Sequence, residues 1–172
     1  MIPIRLLILQ RLQQHLSTIT DIGLSDAVDL VDKVFRGRIL LGAEVTKPAL
    51  SILEAPRPDQ AADHIGDWDE WRTEGWTLLV QGMIEDDVDS PTDHAYYLEA
   101  AVEQKLADIT ATNGFGQPAD PDVFMLGGLI NRLEIGPPVV RPPENFPSAT
   151  GFFFLPIRVG IAADLSNPYT AG

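Results

Sequence analysis

The chain has 172 residues, the usual size of one domain, so we expect a single domain over residues 1–172. It has no cysteine, which excludes disulfide bonds, thiol catalysis and cysteine-ligated metal. Its net charge of −13 repels phosphate and disfavours binding to nucleic acid or to an anionic membrane.

The first predicted element is a helix over residues 4–19. Apolar residues at three- and four-residue steps predict one core-facing stripe, formed by Ile2, Leu6, Leu9, Leu12, Leu16 and Ile19. Ile4, Leu7 and Ile8 fall outside this stripe, and in so small a domain we favour a subunit contact for them over a deeper core. The apolar run is shorter than the roughly 20 residues of a membrane span. Polar residues bound it too closely for a signal peptide, so we expect a soluble, unprocessed chain.

Three predicted strands follow the first helix. Residues 34–41 and 49–54 are joined by a loop, 42–48, that is short enough for a hairpin. A long acidic loop over residues 55–75 precedes the third strand, over 76–84. Loops of this length in a compact domain are usually functional or disordered.

The second predicted helix has the clearest start signal in the chain. Ser90 is a capping serine, Pro91 occupies the first helical position, and Asp93 supplies a carboxylate three residues after the cap. One face is apolar, and Asn113 with Gly114 ends the helix. The apolar face consists of Ala95, Leu98, Val102, Leu106 and Ile109.

Two further strands complete the predicted fold, over residues 126–135 and 153–161. Pro156 cannot donate to a ladder, so the last strand should lie at an edge or carry a bulge there. The proline-rich run 136–147 between them should be stiff and extended. The predicted order is α-β-β-β-α-β-β. We therefore expect an α+β fold, in which two helices cover one face of a mostly antiparallel sheet.

The negative charge is concentrated in one segment. Residues 59–93 contain eleven acidic residues against Arg72 alone, and so carry −10 of the net −13. A solvated, solubilising face is the plain interpretation. The sharper one is an acidic lining past which DNA slides without binding. The candidates for such a lining are Asp67, Asp69, Glu70, Glu85, Asp86, Asp87 and Asp89.

The sequence offers little for catalysis or metal binding. The three histidines, His15, His64 and His94, lack the spacing of a helical metal site. No nucleophile elbow and no phosphate-binding loop is present. The alternative from this class is a small metal-dependent hydrolase using Asp86, Asp87 and His94. We instead expect no catalytic residue, no cofactor and no metal.

Features typical of contact surfaces are better represented. Trp68 and Trp71 lie in a polar loop, and they either fold back onto the core or anchor an interface. Several arginines flank turns or prolines. They pair with acidic residues either of the same chain or of a neighbouring copy, and the sequence does not distinguish the two. The candidate interface residues are Ile4, Leu7, Ile8, Arg36, Arg38, Arg57, Trp68, Trp71, Arg141 and Phe146.

Six segments carry a likeness to a known family. They are residues 33–38 (KVFRGR), 48–58 (PALSILEAPRP), 90–97 (SPTDHAYY), 126–129 (LGGL), 136–143 (GPPVVRPP) and 152–169. In these segments the chain resembles the tail terminator, or tail completion, proteins of siphophages and related tailed phages. The likeness extends over residues 4–169, and its motifs carry no chemistry.

The resemblance implies a non-enzymatic virion protein at the head-proximal end of a phage tail, assembled in the host cytoplasm. Such proteins form a homohexameric ring on the last ring of tail-tube protein, stop tube polymerisation and contact the head connector. DNA passes through the lumen without specific binding, and no membrane is involved. The alternatives are a head-completion or connector protein and the hydrolase described above, with a nucleic-acid-binding module third.

Overall fold

The structure is a computed structural model that describes residues 2–24, 28–39, 44–54, 76–87, 89–141, 150–161 and 169. Its helices are α1 (Ile4–Leu16), α2 (Asp93–Ala107), which continues into a 3-10 turn (Asp108–Thr110), and α3 (Met125–Gly128). Its strands are β1 (Val34–Arg36), β2 (Ala49–Glu54), β3 (Trp76–Glu85), β4 (Arg132–Ile135), β5 (Val139–Arg141) and β6 (Thr150–Gly160).

The strands form one six-stranded sheet in the order β1-β2-β3-β6-β4, with β5 also paired to β6. Only β1 and β2 pair in parallel, so the predicted α+β fold with a mostly antiparallel sheet is confirmed. The predicted hairpin between the first two strands is wrong. The chain leaves the sheet at Gly37, whose φ of 71° favours glycine, and then makes a parallel return.

One face of the sheet and the two long helices enclose the core. Leu78 and Val80 of β3 and Phe153 and Leu155 of β6 are buried beneath α2. Alternate residues of the same strands, including Leu79, lie on the other face. The buried residues of α1 are Ile4, Ile8, Leu12 and Leu16, and those of α2 are Ala95, Leu98, Glu99, Val102 and Leu106.

The first helix buries only part of the predicted stripe, since Leu12 and Leu16 are buried as predicted but the residues predicted for the first two turns are not. Ile4 is 6% exposed and Ile8 is fully buried, whereas Ile2 and Leu6 are 46% and 38% exposed. Both rows have helical spacing and share Leu12, so the sequence pattern does not distinguish them. The sheet decides, because α1 packs beside β1 with its i, i+4 row facing inward.

The predicted feature at Pro156 is half right. β6 is a central strand, since β3 pairs with one side of it and β4 and β5 with the other. Ile135 of β4 pairs with Ile157, and Val139 of β5 pairs with Phe154. The chain therefore advances four residues from Ile135 to Val139 while β6 advances only three between their partners. This extra residue is a bulge opposite Pro156, whose carbonyl accepts the Gly136 N–H at 2.8 Å. Because a strand residue directs its N–H and C=O to the same neighbour, the missing donor of Pro156 faces the bulge.

The second helix begins later than predicted. Its first helical residue is Asp93, and Thr92 occupies the N-cap position without a side-chain hydrogen bond. Ser90 instead accepts the Asp93 N–H through its carbonyl at 3.0 Å. The turn before the helix is held by Asp87, whose Oδ1 accepts the N–H groups of Asp89 and Ser90, each at 2.9 Å.

Residues 126–131 were predicted as the start of a strand, which is wrong. Met125, Leu126, Gly127 and Gly128 all have positive φ, between 51° and 81°, and form a left-handed turn. Left-handed geometry costs about 1–2 kcal/mol for each non-glycine residue. Burial of Leu126 in the core offsets part of that cost.

Candidate interaction surfaces

The candidate interface residues have different outcomes. Ile4 and Ile8 belong to the core of the chain itself, so the expectation that they contact a partner is wrong. Leu7 is half-buried, and Arg141 is exposed on β5 opposite Phe152. Seven predicted residues lie outside the described part of the chain: Arg57, Trp68, Trp71, Phe146, Asp67, Asp69 and Glu70.

Arg36 and Arg38 lie at an open cleft between α1 and β1, here called the α1–β1 cleft. The cleft has a volume of about 430 Å³. Its lining residues are Leu6, Leu9, Gln13, Phe35, Arg36, Gly37, Arg38, Ile52 and Glu54. Its lining is therefore mixed, with apolar side chains and Gln13 beside a rim of two exposed arginines and one exposed glutamate.

Short-range contacts hold the rim of the cleft in shape. The Arg38 guanidinium lies over the Phe35 ring, 4.8 Å from its centroid, and 3.6 Å from the Glu44 carboxylate. The Ser51 hydroxyl donates to the Arg38 carbonyl at 2.6 Å, and Ser51 is buried. These contacts fix the backbone at Arg38 and place Phe35 as a defined wall.

The outer edge of β1 borders the same cleft. Lys33 accepts the Leu50 N–H and Gly37 donates to the Ile52 carbonyl, so odd-numbered residues of this strand face β2. The backbone groups of Val34 and Arg36 therefore point away from β2. The Gln13 side chain donates to the Val34 carbonyl at 2.5 Å. No described strand pairs with this side of β1, so the N–H and C=O of Arg36 lie at the edge of the described sheet.

Sequence reasoning missed the most exposed apolar side chain of the described residues, Phe115, which is 92% exposed. It lies at the tip of residues 111–119, here called the Phe115 loop. Asn113 Oδ1 accepts the N–H groups of Phe115 at 2.9 Å and Gln117 at 3.1 Å. The Asn113 N–H donates to the Gln117 carbonyl at 2.8 Å, and Thr112 pairs with Pro118.

The Phe115 loop is thus an ordered turn that presents an aromatic ring to solvent. The signal in the sequence was Asn113-Gly114-Phe115-Gly116, which we interpreted as the end of a helix and rejected as a phosphate-binding loop. Glycines on both sides of a phenylalanine leave its ring without neighbouring side chains. The whole loop, residues 111–119, carries no charge in a chain of net charge −13.

The described members of the predicted acidic lining lie together. Glu85 ends β3, and Asp86, Asp87 and Asp89 form the turn that leads to α2. Glu85 and Asp89 are exposed, while Asp86 and Asp87 are half-buried. Asp87 holds this turn, as described above, so one of the four has a structural role.

The same turn contains the residues of the hydrolase alternative. His94 Nδ1 lies 2.9 Å from the Glu85 carbonyl oxygen, which it contacts as a donor. Asp87 is occupied by two backbone N–H groups. Within the described residues, no group of three or more histidine, aspartate or glutamate side chains is placed to hold a metal ion.

Two titratable side chains on the helices have shifted pKa values, the half-buried His15 and the buried Glu99. His15 Nε2 donates to the Lys105 carbonyl at 2.7 Å and so joins α1 to the end of α2. Burial lowers the pKa of His15, and the nearby Lys105 ammonium adds to this effect. His15 also lines a small cavity of about 210 Å³ against Leu126.

Glu99 of α2 is buried, and its Oε1 has no hydrogen-bond partner in the part of the chain that the structure describes. Burial raises the pKa of Glu99, and the neighbouring Glu103 carboxylate raises it further. A buried carboxyl of this kind favours its protonated form, which needs less solvation.

No helix among the described residues has both the length and the apolar character needed to cross a membrane. Comparison with known proteins gave no further assignment. The chain matches no protein-family model, and a sequence search found no significant match among curated proteins.

Proposed function

We propose that the protein is a structural subunit of a tailed-phage particle, a tail terminator that forms a ring at the head-proximal end of the tail tube. The ring stops tube polymerisation and contacts the head connector. The name rests on the resemblance in residues 33–38, 48–58, 90–97, 126–129, 136–143 and 152–169.

The observation that carries the proposal is a pair of apolar contact features on different parts of the subunit. The Phe115 loop presents an exposed aromatic ring on an ordered turn. The α1–β1 cleft offers the apolar side chains of Leu6, Leu9 and Phe35 beside the edge of the sheet. A subunit within a ring has neighbours on two sides, and exposed apolar features on an ordered scaffold are typical of interaction sites.

The charge distribution supports a passage for DNA. Glu85, Asp86 and Asp89 project from one turn at the end of β3, in a segment of strong negative charge. Facing a lumen, these carboxylates repel the phosphate backbone and keep DNA from binding to the wall. A ring structure with all of the acidic candidates on its outer wall would contradict this part of the proposal.

A tube-length assay tests the function directly. The tail-tube protein of the same phage is polymerised with and without the chain, and tube lengths and end caps are measured by negative-stain electron microscopy. We expect capped tubes whose growth stops when the chain is added. Unchanged tube growth without caps would contradict the proposal. Binding to filled, tail-less heads in place of tails would identify a head-completion protein.

A second assay addresses the lumen. Glu85→Gln, Asp86→Asn and Asp89→Asn are combined, and Asp87 is kept because it holds the turn. The charge rises by three, so we expect assembled rings of the triple variant to retain DNA at low salt more strongly than the wild type does. Equal retention at every salt concentration would show that these side chains do not face DNA.

A further inference from the structure

The Phe115 loop and the α1–β1 cleft are compatible in size. The loop projects one aromatic side chain from a narrow turn, and a cleft of about 430 Å³ is large enough to take it. Among the described residues, no side chain fills the cleft. A Cβ placed on Gly37, one of its lining residues, would meet no atom within 4 Å. Within one chain Phe115 is almost fully exposed, so it does not fill its own cleft.

The two features are also complementary in charge. The Phe115 loop is uncharged, and Asp120 and Asp122 follow it in the chain, while Asp108 before it is paired with Lys105 at 3.4 Å. The rim of the cleft carries Arg36, Arg38 and Glu54, and Arg38 is already paired with Glu44. Among the described residues, no ion pair joins Arg36 to an acidic side chain. Its guanidinium is therefore available to a carboxylate from outside.

We propose that Phe115 of one copy inserts into the α1–β1 cleft of a second copy, between Leu6 and Phe35. This inference rests on the proposed function, and it names the contact through which subunits associate. The Phe35 ring, held by Arg38, meets the incoming ring in an offset or edge-to-face arrangement. Asp120 and Asp122 beside the Phe115 loop then face Arg36.

The contact is head-to-tail. The loop follows the C-terminal end of α2, whereas the cleft lies at the β1 edge of the sheet. Each copy can therefore insert its Phe115 side chain into one neighbour and accept the Phe115 side chain of another. Repetition of one such contact closes a ring when the rotation between copies is suitable. The hydrogen bonds accepted by Asn113 Oδ1 order the Phe115 loop before binding. Less conformational entropy is therefore lost on binding, which favours a small contact of this type.

Truncation of the aromatic ring tests the contact. The full chain and Phe115→Ala are compared by analytical ultracentrifugation and mass photometry over a concentration series. Phe115 touches little of its own fold, so the variant should unfold at the same temperature as the wild type. We expect self-association weaker by about 30-fold or more, the effect of losing an interface hot spot. Tyr96→Ala removes another exposed aromatic side chain, on α2, and should change association by less than about twofold.

Site-directed cross-linking gives an independent readout. The chain contains no cysteine, so any disulfide comes from introduced residues. Gly114→Cys keeps Phe115 and has open space around it, and Glu54→Cys lies at the exposed rim of the cleft. Mixing the two single variants under mild oxidation should give a mixed dimer, and adding Phe115→Ala to the first should abolish it. Tyr96→Cys in place of Gly114→Cys should give no mixed dimer.

The outcomes separate the two proposals. One outcome overturns the inference alone: rings form, Phe115→Ala assembles as the wild type does, and no mixed dimer appears. The ring then depends on another contact. If the wild-type chain stays monomeric alone and on tail tubes and gives no mixed dimer, both proposals fail. Loss of association by Arg36→Glu, with partial recovery on adding Asp122→Arg, would further support the contact.

Discussion

The cross-strand pair of Gly82 and Phe153 allows a quantitative test of the core. Gly82 of β3 lies opposite Phe153 of β6, and Phe153 is fully buried beneath α2. A Cβ placed on Gly82 would come within 2.6 Å of three carbons of the Phe153 ring. Only the absence of a side chain lets this ring lie across β3.

We expect Gly82→Ala to lower the free energy of unfolding by about 1–3 kcal/mol, the usual effect of adding a methyl group to a packed core. The backbone itself tolerates alanine, since Gly82 is not among the residues with positive φ. Alanine would stabilise a strain-free position by about 0.4–1 kcal/mol through the unfolded state. A destabilised variant therefore reports the steric conflict with the ring.

Urea denaturation followed by circular dichroism measures the change, and a thermal scan should show Tm lower by about 2–4 °C for each kcal/mol lost. Gly114→Ala is the matched control, because a Cβ at Gly114 meets nothing within 4 Å. Phe153→Leu in the Gly82→Ala background should cost less than the sum of the two single changes, since the smaller side chain makes room. Equal stability of Gly82→Ala and Gly114→Ala would refute the packing argument.

Three further predictions concern buried groups. Glu99 has a pKa above its ordinary value of 4.5, so its contribution to stability is present at low pH and is lost as pH rises through the folded pKa. The stability of Glu99→Gln relative to the wild type should therefore increase between about pH 4 and pH 8 in urea titrations. His15 has a pKa below its ordinary value of 6.5, so its contribution is lost as pH falls. The loss of stability between about pH 7 and pH 5 should therefore be smaller for His15→Gln than for the wild type, and an equal loss would contradict the lowering of the His15 pKa by burial. Ile8→Ala should lower the free energy of unfolding by about 2–5 kcal/mol, because Ile8 is fully buried. Ile2→Ala should lower it by less than about 0.5 kcal/mol, because Ile2 is exposed. Equal effects of the two substitutions would show that the buried stripe of α1 is misassigned.

Local patterns in the sequence determined most of the fold. The i, i+3 and i, i+4 spacing of α2 predicted its inward face correctly from Ala95 to Leu106, because a period of 3.6 residues places those side chains on one side. Alternation in β6 likewise predicted that Phe153 and Leu155 point to one face. Pro156 predicted an edge position or a bulge, because its missing N–H must face a break in the ladder, and the structure has the bulge.

Parts of the candidate site could also be predicted from the sequence. Arg36 and Arg38 were named from their place beside a turn, and the structure puts both at the α1–β1 cleft. Phe115 was missed, because its role depends on how exposed the ring is, and exposure is set by what the rest of the chain leaves uncovered. The acidic turn was found from charge alone, although its structural use of Asp87 was not.

Tertiary structure decided the choices that local spacing leaves open. Ile4 and Ile8 compete with Ile2 and Leu6 for the inward face of one helix, and only the position of the sheet selects between them. β1 pairs in parallel with β2, and residues 126–131 form a turn in place of a strand. The periodicity of a sequence predicts which side chains share a face of a helix or strand. The partner of that face depends on contacts between residues distant in the chain, and their free energy outweighs local preference.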